Sequence, residues 1–217
     1  MDETQVGTIV IGITGGIGCG KTTVTNFISE LGYIVISTDE KAKELMVSDF
    51  NIKNKIFRAF GSESYNSDGS LNSQFISDLV FGKTSEHKKN LALLNSIVHP
   101  PVIDYIIEEV QKYEEKGEPL VFIESALIYE AELEEGFDYV IVVDSREENA
   151  IKRITKRTGM TEELARLRMK LQNSQQEKTS LADFVIENNG TIEDLKKSVT
   201  TLMNILKNLK KKVDERN

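Results

Sequence analysis

The chain has 217 residues, 39% of them hydrophobic, and a formal net charge of −8. That length suits one sizeable core, or a core with one insertion, and the acidic balance speaks against a general nucleic-acid binder, which needs a basic footprint. No apolar run approaches the roughly 20 residues of a membrane span, the acidic start MDETQVG lacks the apolar stretch of a signal peptide, and the single cysteine, Cys19, leaves no intrachain disulfide, which fits a reducing, cytoplasmic setting.

In chain order, residues 8–13 are short, apolar and β-branched, which predicts a buried strand of a parallel sheet. GGIGCGKT follows at residues 15–22, and then Val24, Phe27, Ile28 and Leu31 recur at helical spacing. A second strand is predicted at 34–36. Residues 39–116 then read as several amphipathic helices: 40–46, one holding Ile52, Ile56 and Phe57, 75–81, 91–98, and 102–110. The last is expected to start after Pro100-Pro101, because proline favours a first helical position. GSESYNSDG at 61–69 reads as a surface loop. Further strands are predicted at 120–123, 139–143 and 184–186.

Between the last two, Ser145 and Glu148 have capping-box spacing. They would open a helix carrying Ile151, Arg153, Ile154 and Arg157 and ending at Gly159. Another helix starts around Thr161, and the charged tail 207–217 reads as a solvated helix end. Strands alternating with helices predict an α/β fold with a five-stranded parallel sheet covered on both faces.

The glycine-rich run fits G-x-x-x-x-G-K-[ST] on the strand-to-helix turn that the motif requires. Successive N–H groups there form an anion nest backed by the helix dipole. Gly15, Gly16, Ile17, Gly18, Cys19, Gly20, Lys21, Thr22 and the adjoining Thr23 are therefore the expected nucleotide-binding set. Lys21 would reach the outer phosphates of a nucleoside triphosphate, and the Thr22 hydroxyl would coordinate Mg²⁺.

Asp39 follows the second strand. It suits a proton acceptor or a water-mediated Mg²⁺ support, and equally an N-cap for a helix starting at Glu40. Glu124 ends an apolar strand, where an acid supports Mg²⁺ or simply faces water. Arg153 and Arg157, four apart, share a helical face suited to phosphate, or a solvated basic face. They belong to a basic stretch, residues 152–170, that an otherwise acidic chain concentrates locally. His99 is a ligand contact or a helix-entry residue. With only His87 and His99 in the chain, a His-based zinc site or a Ser-His triad has no support. Cys19 is either an activated thiol beside Lys21 or a small apolar group beneath the loop.

Together these elements resemble the dephospho-coenzyme A kinase family, over nearly the whole chain. GITGGIGCGKTTV resembles the family's GLTGGIGSGKSTV. Ser37-Thr38-Asp39, followed by EKAKEL, falls where the family has Asp-Ala-Asp and a helix. LLNSIVHPPV (93–102) resembles LNxxxHPxV, ESALIYE (124–130) resembles DIPLLFE, and QNSQQEKTSLADFVIENNG (172–190) resembles the family's Q…EEK…AD.VI.N.G ending.

The resemblance implies a three-layer P-loop kinase fold that transfers the ATP γ-phosphate, with Mg²⁺, to the ribose 3′-hydroxyl of dephospho-coenzyme A. It implies a nucleotide core (1–39, 117–144 and 183–217), a helical substrate-binding insertion (40–116) and a lid (145–182). Asp39 would be the general base, with Lys21 and Arg153 also catalytic. Arg157, Asn188 and Gly190 would join the nucleotide site, Asp39, His99 and Leu127 the substrate site, and Thr22 and Glu124 the metal. No nucleic acid, membrane or obligate protein partner is implied. Three positions depart from the pattern: Ser37, Ala126 and Cys19. The alternatives are a nucleoside monophosphate kinase-like enzyme and a nucleotide switch. The large helical insertion and the basic segment favour the kinase, because phosphoryl transfer must exclude water.

Overall fold

Apolar β-branched runs become one parallel sheet in the computed structural model, which describes residues 7–209. The acidic start and most of the charged tail read above lie outside the described residues. The strands are β1 (Ile9–Thr14), β2 (Ile34–Ser37), β3 (Leu120–Glu124), β4 (Tyr139–Asp144) and β5 (Phe184–Glu187), in the order β2-β3-β1-β4-β5. All neighbouring pairs are parallel. Each strand runs one residue past its apolar run, to Thr14, Ser37, Glu124, Asp144 or Glu187. Ladder hydrogen bonds ignore side-chain polarity, so pairing carries the strands on to a row of polar residues at their carboxyl ends. The register sets Glu124 beside both Ile13 and Ser37, and Asp144 beside Glu187.

One face of the sheet packs Ile9, Ile11 and Ile13 with Val24 and Ile28 of α1 (Lys21–Glu30) and with Leu195, Val199 and Met203 of α9 (Ile192–Leu206). The other packs Val140 and Val142 with Ile128, Tyr129 and Phe137. The remaining helices are α2 (Thr38–Ser48), α3 (Phe50–Phe60), α4 (Ser73–Val80), α5 (Ser85–Glu115), α6 (Glu147–Thr158), α7 (Glu162–Met169) and α8 (Gln175–Leu181).

The chain divides into two compact units: the sequence up to Ser37 together with that from Glu109 onward, and Thr38–Glu108. The smaller unit has its own core of Ile52 and Ile56 from α3, Ile76 and Val80 from α4, and Ile97, Val98 and Val102 from α5. The 61–69 segment is mostly exposed, but Ser64 is buried and the Tyr65 hydroxyl donates to the Met46 carbonyl at 2.9 Å.

Two local expectations are corrected. The helices expected at 91–98 and 102–110 are one helix, α5, with Pro100 and Pro101 inside it. Proline's fixed φ is helical, and what it removes is an N–H group. Burial of Ile97, Val98 and Val102 on either side holds the helix through the two missing donors. The Ser145 capping box does not form. α6 starts after Arg146, with no side-chain cap, because the Ser145 hydroxyl is drawn into contacts with Asn188 and Arg153. Capping boxes form instead at Ser174/Glu177 and Thr191/Asp194.

Candidate active site

The loop between β1 and α1 is built for close approach. Gly15 (φ 149°) and Gly20 (φ 98°) lie where side chains are strained, and a Cβ on either would collide, with the Val143 carbonyl oxygen and the Asn188 amide respectively. α1 differs from most helices of this chain. Its N-cap is Gly20, no side chain caps it, and no acidic residue lies in its first turn. Its positive end is thus left for an anion. Lys21 is buried at 9% exposure, and its Nζ donates to the Gly15 carbonyl at 2.9 Å and the Gly16 carbonyl at 3.4 Å. The ammonium is folded back onto the carbonyl groups at the start of the loop.

Beneath the loop lies a polar network from distant sequence. Asn188 Nδ2 donates to the Cys19 carbonyl at 2.8 Å. Arg153 donates from Nη1 to Ser145 Oγ (2.9 Å) and the Gly18 carbonyl (3.4 Å), and from Nη2 to the backbone (2.8 Å) and side-chain (3.2 Å) oxygens of Asn188. Arg153 and Asn188 are therefore brought to the loop's carbonyl side. Arg157, one turn further along α6, is exposed. Within the basic stretch, Arg166 pairs with Glu147 and, at 3.9 Å, with Glu162. Gly190 precedes Thr191, the N-cap of α9, and a Cβ there would sit 2.9 Å from Asp194 Oδ2.

Thr22 and Glu124 meet. The Thr22 hydroxyl donates to Glu124 Oε1 at 3.2 Å, and the Thr25 hydroxyl lies 3.4 Å from Oε2. One hydroxyl and one buried carboxylate at the end of a phosphate loop are hard oxygen donors. They fit Mg²⁺, which takes few protein ligands and keeps phosphates and water for the rest. Among the described residues there is no group of three or more His, Cys, Asp or Glu placed to hold a metal.

Asp39 and His99 belong to the smaller unit. Asp39 is exposed in the first turn of α2, within the helix rather than before it. His99 is half-buried inside α5, and burial pushes its imidazole below the usual range, so it is neutral at pH 7. Leu127 is half-buried in the turn after β3, its N–H donating to Ser125 Oγ at 3.3 Å.

The contacts of three side chains, Gln172, Gln175 and Lys178, had no counterpart in the residue-by-residue reading. Gln175 Oε1 accepts from the Gly16 N–H at 3.0 Å, and Gln172 Oε1 from the Ile17 N–H at 2.9 Å. Lys178, fully buried, pairs with Glu130 Oε1 at 2.6 Å and donates to the Ala126 carbonyl at 3.1 Å. It ties α8 to the turn that follows Glu124. The spacing Q-x-x-Q-x-x-K, at i, i+3 and i+6, was the available signal, since it puts all three on one side of the chain if helical. Replacing Lys178 with methionine should destabilise the fold by about 3–5 kcal/mol, since Glu130 is left nearly buried without its cation. A Lys178→Met/Glu130→Leu pair should recover most of that loss in denaturant melts. A single-variant loss under about 1 kcal/mol would contradict the pairing.

Cys19 is 2% exposed and packs in the core with Val24 and Ile28. Burial raises its thiol pKa, with Lys21 pulling the other way less strongly. It behaves as a small apolar group. An alkylating reagent should therefore label it only when denaturant is present, by intact-mass measurement. Rapid labelling of the folded protein that Mg-ATP suppresses would establish the activated thiol instead.

A glycine-rich loop on the central strand of a five-stranded parallel sheet, a lysine folded onto its first carbonyls and an uncapped helix behind it define a phosphate-loop nucleotide-binding protein of the small-molecule kinase fold. The family model described as Dephospho-CoA kinase matches residues 9–194. Curated proteins named Dephospho-CoA kinase from Salinibacter ruber and Listeria monocytogenes serotype 4b are 36% and 35% identical over 192 and 193 residues. They cover 88% and 89% of this chain, and the match covers 94% of each relative. Among solved structures, TT1252 from Thermus thermophilus superposes with a TM-score of 0.76 at 31% identity, over 92% of this chain and 98% of its own. Dephospho-CoA kinase from Campylobacter jejuni, at 24% identity and a TM-score of 0.60 over 92% and 97%, shares the fold. The chain belongs to the dephospho-CoA kinase family.

Proposed function

We propose that this protein transfers the γ-phosphoryl group of ATP to the ribose 3′-hydroxyl of dephospho-coenzyme A, giving coenzyme A and ADP. The observation that carries this reading is the family match over residues 9–194, which takes in the HP element and the ADFVIENNG segment as well as the phosphate loop. Purified protein with ATP and Mg²⁺ should phosphorylate dephospho-coenzyme A and leave a panel of nucleoside monophosphates unchanged. Transfer to a monophosphate in preference would replace this reading with the nucleoside monophosphate kinase alternative.

The roles of individual residues follow from charge and chemistry. The 3′-oxygen attacks the γ-phosphorus as the bond to the β–γ bridging oxygen breaks, and ADP carries that electron pair away. We assign Asp39, two residues beyond β2, as the base that takes the hydroxyl proton. Residues 15–23 hold the phosphates through backbone N–H groups, and Lys21 sets positive charge at the outer ones. Thr22 and Glu124 would hold Mg²⁺, which when bound neutralises charge on the β- and γ-phosphate oxygens. Arg153 serves catalysis by fixing the Gly18 carbonyl and Asn188, and its charge adds to the potential at the loop. Exposed Arg157 is left to meet phosphate directly.

Asn188 and Gly190 shape the nucleotide side, supported by the Asn188–Cys19 bond. His99 and Leu127 are assigned to the acceptor. We take residues 40–116 as the acceptor-binding insertion, supported by the independent core of the Thr38–Glu108 unit, and residues 145–182 as the lid, supported by the basic side chains along α6 and α7. A cytoplasmic setting is supported by the lone reduced thiol. No helix among the described residues is long and apolar enough to cross a membrane.

A further inference from the structure

A buried ion pair is a poor way to gain stability, because desolvation offsets much of the attraction and an apolar pair of similar volume often does as well. Lys178 and Glu130 are such a pair, the lysine fully buried, the glutamate nearly so, 2.6 Å apart. What an apolar pair could not do is hold backbone groups. Glu130 Oε1 also accepts from the Asn173 N–H at 3.0 Å, and Lys178 Nζ also donates to the Ala126 carbonyl at 3.1 Å. The two side chains thus complete a line of hydrogen bonds from the turn after β3 to the residue before Ser174, the N-cap of α8. That line ends on one peptide unit. The Ala126 carbonyl and the Leu127 N–H belong to the same planar peptide. Lys178 holds its carbonyl, and its N–H donates to Ser125 Oγ at 3.3 Å. The Leu127 carbonyl in turn accepts from the Ala131 N–H at 3.0 Å. With the peptides on both sides held, φ and ψ of Leu127 are set, and with them the direction in which its side chain leaves the backbone. Glu124 does not depend on this device. It is a sheet residue in register with Ile13 and Ser37, and the Ser125 N–H just after it donates to the Ile13 carbonyl at 3.0 Å.

We propose that Lys178 and Glu130 are positioning residues for the acceptor: they orient the 126–127 peptide and so hold Leu127 where dephospho-coenzyme A binds. This rests on the proposed function and on the assignment of Leu127 to the acceptor. The pair itself touches no substrate and acts through the turn. Its chemistry suits the task. An ammonium has three donors and a carboxylate several acceptor sites, so each satisfies its partner and one backbone group at once. A displacement of about 1 Å in a group that positions substrate can cost on the order of 10²-fold in rate, even when it lies away from the reacting atoms. Because the sheet holds Glu124, loss of the pair should be felt by the acceptor and not by the nucleotide.

The test sets the unmodified protein beside Lys178→Met/Glu130→Leu and Glu130→Gln, with steady-state kinetics in dephospho-coenzyme A, calorimetric titration of Mg-ATP and thermal melts. The double variant removes the hydrogen bonds and leaves no buried charge, so its thermal midpoint should stay near that of the unmodified protein. Its kcat/KM for dephospho-coenzyme A should nonetheless fall roughly 10-fold or more, chiefly through KM, while ATP affinity stays within about twofold. Glu130→Gln should do the reverse. Its amide oxygen can still accept from Lys178 and from the Asn173 N–H, so kcat/KM should stay within about threefold, while the midpoint drops because the buried ammonium has lost its counter-charge. Activity that follows the hydrogen bonds rather than stability is what a merely structural pair could not produce. A folded double variant with kcat/KM within about twofold of the unmodified protein overturns the proposal. So does an equal loss of ATP affinity, which would place the effect at the loop, and so does a Glu130→Gln protein as impaired towards the acceptor as the double variant. If the double variant does not fold, Lys178→Met alone, assayed well below its midpoint, carries the same kinetic expectation. An unmodified protein that transferred nothing to dephospho-coenzyme A would remove the proposed function, and the positioning role with it.

Discussion

Replacing Asp39 with asparagine should lower turnover by about 10²-fold or more, while ATP affinity stays within about twofold. Asparagine keeps the size of the side chain and removes the proton acceptor. A loss of that size corresponds to about 2.7 kcal/mol of barrier. The fold has little stake in the carboxylate, which is exposed in the first turn of α2. Its interaction with the helix dipole is worth about 0.3–1 kcal/mol. Ser37, where the family resemblance has a second acid, offers no carboxylate to take over. Turnover and thermal midpoint measured on the same preparations separate the readings. Near-normal turnover in the variant would remove Asp39 from the chemistry.

Lys21→Met should reduce kcat/KM by roughly 10²–10³-fold, the usual consequence of deleting one pre-positioned donor at developing charge. ATP affinity should fall as well if the ammonium meets the outer phosphates in the ground state, as its proposed role requires. The lysine is almost fully buried and its ammonium donates to two backbone carbonyls. A variant that keeps activity would place the outer-phosphate charge elsewhere, and Arg153 or Arg157 would be the next residues to change.

The local features of this chain were legible because their causes lie within a turn or two of sequence. Apolar β-branched runs marked all five strands. GGIGCGKT marked the loop, since glycine is the residue that tolerates φ 149° at Gly15 and φ 98° at Gly20. Gly159 ends α6 in the left-handed region, and Thr161 caps α7, as the turn residues indicated. Where a second local rule competed, sequence was a poorer guide. Pro100-Pro101 signalled a helix start, yet burial of the flanking Ile97, Val98 and Val102 carries α5 straight through them. Ser145 had the spacing of a cap, but its hydroxyl found a partner in Asn188, 43 positions away.

The sequence by itself marked residues 15–23 as the candidate phosphate-binding stretch, because a glycine-rich turn and one lysine are local properties of the chain. Only the tertiary structure decided what surrounds that turn. Parallel pairing of β1 with β3 brings Glu124 to the Thr22 hydroxyl, across 102 positions. Pairing of β4 with β5 brings Asn188 to the Cys19 carbonyl, across 169. The same sheet order, continued into α8 and the segment before it, sets Gln172 and Gln175 on the loop's N–H groups and Lys178 on Glu130. Such contacts depend on strand order, and strand order follows from how whole apolar faces are buried together. No window of sequence carries that information. A glutamine facing water and a glutamine facing the phosphate nest are the same residue until the sheet has formed.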